Sequence, residues 1–200
     1  MACSDSHTGL PTDATLDNRL YANTYFGFSF PIPGGWTIAQ KEVTDSLQTK
    51  AAKGGRSLAA ANTLELRAEA DQLAQKFRVL LMVSGHPAGS GNNANIVFFA
   101  AASALGSRRL SNQDVIAAVD KRLTSAVPAA TRLAEIETVN LGGRQMLHAA
   151  YSKPAHGITT RQDCYTMVHG DYALLIILSG ITDEDMKELD GMLAGLRFAK

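Results

Sequence analysis

The sequence has no excess of either charge, and it carries little charge in total. Its 200 residues include 19 Lys and Arg against 19 Asp and Glu, so the formal net charge at pH 7 is zero and only 19% of the residues are charged. A nucleic-acid-binding surface needs an excess of Lys and Arg to neutralise phosphates, and a polybasic membrane-surface protein needs the same excess. We therefore expect no nucleic-acid partner.

Long hydrophobic runs are absent, and cysteines are few. The longest fully apolar runs, Ile96–Ala102 and Tyr172–Leu178, are far shorter than the roughly 20 residues that span a bilayer. The two cysteines, Cys3 and Cys164, lie far apart in the sequence. A chain with 46% apolar residues can bury a core without a disulfide, so we expect Cys164 to be a small packed side chain.

The first residues are small and polar and show neither a helical nor a strand period, which predicts a flexible leader over residues 1–20. Within it, Ala2-Cys3 followed by Ser-Asp-Ser resembles the junction left when a bacterial lipoprotein signal is removed. That resemblance implies that Cys3 is lipidated and that the protein contacts the membrane only through this anchor. The alternative is a cytoplasmic chain that begins Met-Ala-Cys.

Residues 21–200 predict a single domain in which helices and strands are mixed. Ser111 and Asp114 form a capping box before one predicted helix, and Thr182 and Asp185 do the same before the last one. Helix-forming composition predicts two more helices, at Glu42–Lys53 and Ser57–Lys76, the second with an apolar stripe ending at Phe77. Period-2 patterns and short apolar runs predict strands around Phe26–Phe30 and at Val79–Val83, Ile96–Ala100, Glu135–Leu141, Gln145–Tyr151, Thr159–Val168 and Tyr172–Ser179.

These elements predict an α+β fold with a mostly antiparallel sheet, because short turns separate the last four strands. Several strands are apolar on both faces, including Val79–Val83 and Ile96–Ala100, so both faces of the sheet need cover. The predicted architecture is therefore a three-layer α/β/α sandwich. A closed barrel is the competing arrangement.

The segment Tyr21–Trp36 contains Tyr-x-Asn-x-Tyr-Phe-Gly-Phe-Ser-Phe-Pro-x-Pro-x-Gly-Trp. It resembles the opening hairpin of the PsbP-like (Mog/PsbP-type) α/β/α sandwiches, which include bacterial lipoproteins and periplasmic proteins. The order of the later elements is similar as far as Phe198. Known members include an extrinsic photosystem II subunit and a partner of a small GTPase, so the resemblance implies a binding role. The motif is structural, and it assigns no functional residue here.

The sequence predicts neither a cofactor nor a metal site. Gly89–Ala94 has the letters of a dinucleotide-binding loop, but a strand rather than a helix follows it. No Gly-Lys-Ser/Thr phosphate-binding sequence occurs, and no two of the five histidines have the i, i+4 spacing of a helical zinc site.

One pair of residues has the chemistry of a nucleophile and its base. If Gln145–Tyr151 and Thr159–Val168 form a hairpin through Lys153–Gly157, His148 lies opposite Asp163 or Cys164. The second register would place an imidazole beside a thiol, as in a thiol-dependent hydrolase. The alternative is a packed cross-strand pair without catalytic function, since no third, orienting residue is visible.

The sequence as a whole favours a non-enzymatic binding or accessory domain in a bacterial cell envelope, with a protein or small molecule as its partner. A hydrolase using Cys164 and His148, and a cytoplasmic adaptor or chaperone of the same fold, are the alternatives. Binding residues often lie on loops of a rigid scaffold. We therefore expect the loops at Ser84–Asn95 and Lys153–Gly157 to border a partner site, with His86, Asn92, Asn93 and His156 at its rim.

Overall fold

A computed structural model describes residues 9–39, 45, 77–85, 94–105, 108–125, 129–155 and 157–199. The predicted helices Glu42–Lys53 and Ser57–Lys76 lie outside these residues, except for Asp45, which is helical. The described elements, in chain order, are β1 Ala14–Asp17, β2 Leu20–Asn23, β3 Phe28–Pro31, β4 Thr37–Ile38, β5 Arg78–Ser84, β6 Asn95–Ala102, β7 Ala104–Leu105, β8 Arg108–Arg109, α1 Asn112–Thr124, β9 Thr131–Arg132, β10 Glu137–Leu141, β11 Arg144–Ala155, β12 Ile158–His169, β13 Tyr172–Gly180, α2 Asp183–Leu193 and β14 Arg197–Phe198.

The strands form two main sheets, and every described pairing is antiparallel, as predicted. The large sheet has the order β10-β11-β12-β13-β6-β5-β4, with β9 also paired to β11. The small sheet has the order β1-β2-β3-β14, and β7 pairs with β8 in a separate ribbon. The described strands of the large sheet follow an open path, so the barrel alternative is wrong for this part of the chain.

Helix α1 packs on one face of the large sheet. Its capping box is present, with the Ser111 side chain accepting from the Asp114 amide and the Asp114 side chain accepting from the Ser111 amide. The fully buried Ile116 contacts the residues of β11 and β12 that face this side, namely Leu147, Ala149, Tyr151 and Cys164. This helix therefore fixes which side chains of β11 and β12 lie away from solvent.

Helix α2 and the small sheet share the other face. The apolar side of α2 is buried and joins the large sheet in one cluster with the aromatic residues of β2 and β3. The cluster includes Met186, Leu189, Met192 and Leu193 of α2 and Phe98, Ile176 and Leu178 of the large sheet. Phe98 stacks on Phe28 with ring centroids 5.4 Å apart, and its centroid lies 5.0 Å from that of Phe30. The described helices therefore cover opposite faces of the large sheet.

The chain enters the fold earlier than expected, because β1 lies inside the predicted leader. This strand pairs with β2 through a tight turn at Asn18 and Arg19, both with positive φ. The Arg19 guanidinium then donates to the carbonyl oxygens of Ile32, Pro33 and Trp36 at 2.6–3.0 Å. The sequence of β1 shows no strand period. Its pairing with β2 and the hydrogen bonds of Arg19 hold it in place.

Candidate functional site

Both predicted registers, which place His148 opposite Asp163 or opposite Cys164, are wrong. In the β11–β12 hairpin His148 lies opposite Tyr165, and Cys164 lies opposite Ala149. Directly paired residues share a face while successive residues alternate, so the imidazole and the thiol lie on opposite faces of the large sheet. The register differs because β11 continues to Ala155 and β12 begins at Ile158, so the turn is centred further along the chain than either predicted register requires.

The surroundings of Cys164 suit packing rather than nucleophilic chemistry. The residue is 1% exposed and lies beneath α1 with Ala149 and Tyr151. Burial, with a smaller contribution from the charge of Asp163, raises the pKa of the Cys164 thiol to about 12. Because the thiolate is the reactive form, this thiol is a poor nucleophile at neutral pH. The packed role that the sequence predicts for Cys164 is confirmed.

On the opposite face His148 belongs to a cluster of charged residues. Its Nδ1 lies 3.1 Å from Glu137 Oε1, and its ring stacks on Tyr165 at 4.6 Å between centroids. Its Nε2 is buried 4.0 Å from Asp163 Oδ1, and no described residue gives it a hydrogen bond. The buried Asp163 carboxylate instead accepts two hydrogen bonds from the Arg161 guanidinium, at 3.2 and 3.3 Å.

We call these residues the His148 cluster; within the described part of the chain its imidazole makes no hydrogen bond to a hydroxyl or a thiol. Asp190 of α2 lies close enough that the charge of Asp163, added to the larger effect of burial, raises the pKa of its carboxyl. The pairing of Arg161 with Asp163 was not predicted, although Arg-x-Asp on one strand places both side chains on one face. The described residues contain no group of three or more His, Cys, Asp or Glu that could hold a metal ion.

A cavity of about 460 Å³ lies on the α1 side of the large sheet, over β5, β6, β12 and β13. We call it the sheet groove. Its volume falls within the range of about 300–1,000 Å³ that is common for small-molecule sites. Among the described residues, those that line it are uncharged: Met82, Asn95, Val97, Phe99, Thr160, Gln162, Ile177, Ser179, Gly180 and Ile181.

The strand register sorts these side chains into rows. Asn95 of β6 pairs with Ser179 of β13, which pairs with Gln162 of β12, so the three form a polar row across neighbouring strands. Gln162 Nε2 donates to Ser179 Oγ at 3.2 Å. Two residues further along the strands, Val97 pairs with Ile177, and this row is apolar.

The groove therefore changes from polar to apolar along the strand direction. Phe99 extends the apolar part by another step of two residues on β6. Each such step covers about 7 Å, so the polar row and Phe99 lie about 13 Å apart. This site was not predicted from the sequence; its signal is a polar residue, such as Asn95 or Ser179, at the end of an apolar strand.

The predicted rim residues His86, Asn92, Asn93 and His156 lie outside the described residues, as does Cys3, so their roles stay predictions. Within the described part of the chain, no helix is long and apolar enough to cross a membrane.

No protein-family model and no curated protein matches this chain in sequence. Solved structures do match in shape. Cyanobacterial PsbP (CyanoP) from Synechocystis is 12% identical, with a TM-score of 0.52 over 100% of this chain and 98% of its own.

Two further structures are similar at lower scores. LpqN, involved in cell envelope biogenesis of Mycobacterium tuberculosis, is 12% identical with a TM-score of 0.47, covering 86% of this chain and 83% of its own. A protein from Bacteroides thetaiotaomicron is 11% identical with a TM-score of 0.44, over 87% of this chain and 46% of its own. At these identities only the fold is shown, and the likeness to CyanoP confirms what Tyr21–Trp36 predicts: this chain has the PsbP-like fold.

Proposed function

We propose that this protein is a non-enzymatic binding or accessory domain of a bacterial cell envelope, and that the sheet groove is its ligand site. The observation that carries the proposal is the groove itself, a cavity of about 460 Å³ whose described lining is apolar in one part and has a row of polar side chains at one end. A few polar groups at the edge of an apolar cavity are typical of small-molecule sites.

The hydrolase alternative requires Cys164 and His148 to lie side by side, and they do not. A nucleophile needs a base within hydrogen-bond reach, and Cys164 and His148 face opposite sides of the sheet. Any other base for Cys164 would have to lie beneath α1, where the described neighbours of the thiol are apolar residues and Tyr151. A binding role uses the residues that do lie together.

Binding in the groove is tested with N-phenyl-1-naphthylamine, a neutral dye that fluoresces in apolar sites. We expect the wild-type chain to bind it. Ile177→Trp, which fills the groove from the half-buried middle of β13, should weaken binding by about tenfold or more. Ile158→Trp is the matched control, since Ile158 is 40% exposed on β12 and does not line the cavity. Equal losses in both variants, or no dye binding, would contradict the proposal.

The envelope location rests on Ala2-Cys3 and on the polar residues that follow. Expression of the native gene in its own host with labelled palmitate should label the protein, and Cys3→Ser should abolish the label. A protein found unlabelled in the cytoplasmic fraction would favour the cytoplasmic adaptor or chaperone, without affecting the test of the groove.

We also propose that the fold is the three-layer α/β/α sandwich. One support is that α1 and α2 lie on opposite faces of the large sheet. The other is Phe77, which ends the apolar stripe of the predicted helix Ser57–Lys76: its ring centroid lies 4.8 Å from that of Phe99 on the α1 face. Circular dichroism should then show at least twice the helical content that α1 and α2, with 13 and 11 residues, supply. A content matching those two helices alone would rule this proposal out.

A further inference from the structure

A second cavity, of about 640 Å³, lies where the β10–β11 turn meets β14, and we call it the arginine cavity. The described residues that line it are Gly142, Gly143, Arg144, Arg197, Phe198 and Ala199. We propose that this cavity binds a phosphate monoester, whose phosphate is held by Arg144 and Arg197. The inference goes beyond the proposed function, because it concerns a different site.

The arginine cavity and the sheet groove lie on opposite faces of the large sheet. Arg144 pairs with Leu141 at the end of the β10–β11 hairpin, and it shares its face of β11 with Met146, two residues further on. Leu141, Met146 and Phe198 all belong to or pack against the cluster on the α2 side, whereas the sheet groove lies on the α1 side. The two cavities share no described lining residue, so a ligand in one does not occupy the other.

The two segments that form the arginine cavity are held together by their backbones. The Phe198 amide donates to the Gly142 carbonyl oxygen at 3.1 Å. Gly142 has a φ of +60°, and a Cβ there would lie 2.8 Å from the carbonyl oxygen of Leu196, so only glycine lets the turn approach β14 this closely. Nη1 of Arg197 donates to the carbonyl oxygens of Ala194 and Leu196 at 2.5 and 2.7 Å. One of the two guanidinium groups is therefore already held in place.

Two positive charges line this one cavity, and they determine the charge of its ligand. A guanidinium carries five N–H donors in a planar fork that matches the oxygens of a phosphate or a carboxylate. Both hydrogen bonds that Arg197 makes to described residues come from Nη1, so its Nε and Nη2 can serve an oxyanion. An oxyanion placed between Arg144 and Arg197 would also offset the repulsion between the two like charges.

These arginines differ from others that neutralise a carboxylate within the fold. The arginines with such a partner are Arg109 with Asp171, Arg132 with Asp120, and Arg161 with Asp163. In the part of the chain that the structure describes, no carboxylate forms an ion pair with Arg144 or Arg197. The charge of the arginine cavity is thus available to an anion from outside.

The number of charges favours a phosphate monoester over a carboxylate. A phosphate monoester carries about 1.5 to 2 negative charges at pH 7 and offers three acceptor oxygens, so it can pair with both guanidinium groups at once. A carboxylate carries a single charge and offers two oxygens. Phe198 is half-buried and lines the same cavity, so its ring offers an apolar surface to the group that the phosphate carries. The site therefore fits an aryl or alkyl phosphate.

Three probes that share one aromatic ring test this ligand class: phenyl phosphate, benzoate and phenol, titrated calorimetrically into the full chain at low ionic strength. We expect phenyl phosphate to bind at least about tenfold more tightly than benzoate, because it gains one further charge-assisted hydrogen bond or more. Phenol should bind more weakly than benzoate. Benzoate or phenol binding as tightly as phenyl phosphate would overturn the proposed ligand class.

Variants of Arg144 connect the preference to the cavity. Arg144 is exposed, so Arg144→Gln should fold normally and weaken phenyl phosphate binding by about tenfold. Arg144→Lys keeps the charge without the fork and should recover part of that loss. Arg109→Gln is the matched control, since it removes the same charge from an arginine that is 72% exposed and does not line the cavity. Equal losses in Arg144→Gln and Arg109→Gln would refute the site, and thermal midpoints close to the wild-type value show that each variant is folded.

A phosphate monoester can be a soluble molecule or the head group of a lipid such as phosphatidic acid. Sedimentation with phosphatidylcholine vesicles, with and without phosphatidic acid, separates these sources. Vesicle binding that requires both phosphatidic acid and Arg144 assigns the lipid, and phenyl phosphate binding without vesicle binding assigns a soluble ester. A protein that binds neither overturns the inference. Binding of N-phenyl-1-naphthylamine should be unchanged in Arg144→Gln, so the failure of this inference is distinguishable from the failure of the proposed function.

Discussion

Phe98→Ala should destabilise the protein by about 3–5 kcal/mol, because it removes a fully buried ring at the contact between the two sheets. Phe98 stacks on Phe28 and lies against Phe30, so its loss leaves a cavity lined by rigid aromatic groups on the small-sheet side. Urea unfolding should show a lower midpoint with an unchanged dependence on urea concentration.

Leu16→Ala is the control, because Leu16 is also a large apolar residue but is 49% exposed on β1, and its loss should cost no more than about 0.5 kcal/mol. If Phe98→Ala does not fold, Phe98→Leu keeps most of the volume and should cost about 1–2 kcal/mol. A loss below about 1 kcal/mol for Phe98→Ala would show that the sheets do not depend on this contact.

Gly180→Ala should also destabilise the fold, here by overpacking, at a cost of about 1–3 kcal/mol. A Cβ at Gly180 would lie 2.8 Å from Asp185 Cβ and 3.0 Å from Met186 Sδ, so the first turn of α2 would have to move away from β13. The measurement is again the free energy of unfolding in urea.

Gly191→Ala, a substitution within α2 itself, should have the opposite effect on stability. Among the described residues, a Cβ built there meets no atom within 4 Å outside the adjacent residues and the backbone of its own helix. Alanine is also a better helix former than glycine by about 1 kcal/mol, so this variant should be more stable than wild type. Two stabilised variants would mean that α2 does not pack closely on Gly180. Opposite signs would confirm that the contact is tight.

The helix starts could be predicted because the information is local. At Ser111 and Thr182 the capping residue and its acidic partner are three positions apart, and both capping boxes form as predicted. The strands of the large sheet could also be identified, since runs such as Val79–Val83 are too apolar for any exposed segment.

Strand register was not predictable in the same way. It depends on how far β11 continues before the turn, and this strand passes through Pro154, which usually ends a strand. Pro154 lies beyond the residues of β11 that pair with β9, Tyr151 and Ser152. A change of one or two positions was enough to separate His148 from Cys164.

The sheet groove was missed for a related reason. Its polar row combines Asn95 with Ser179 and Gln162, which are remote in the sequence and become neighbours only through the order β12-β13-β6. A pattern search finds residues at short, fixed spacing. It cannot find a row that exists only once non-consecutive strands pair.

The small sheet pairs strands that lie far apart in the sequence, and this has a consequence for biosynthesis. β14 pairs Arg197 with Ser29 and Phe198 with Phe28, across almost the entire sequence. During synthesis β1, β2 and β3 leave the ribosome first and can pair with one another. At that stage β14, which pairs with β3, has not yet been made. Contacts of such high sequence separation form slowly. The edge of β3 therefore stays open at least until Arg197 and Phe198 have been made.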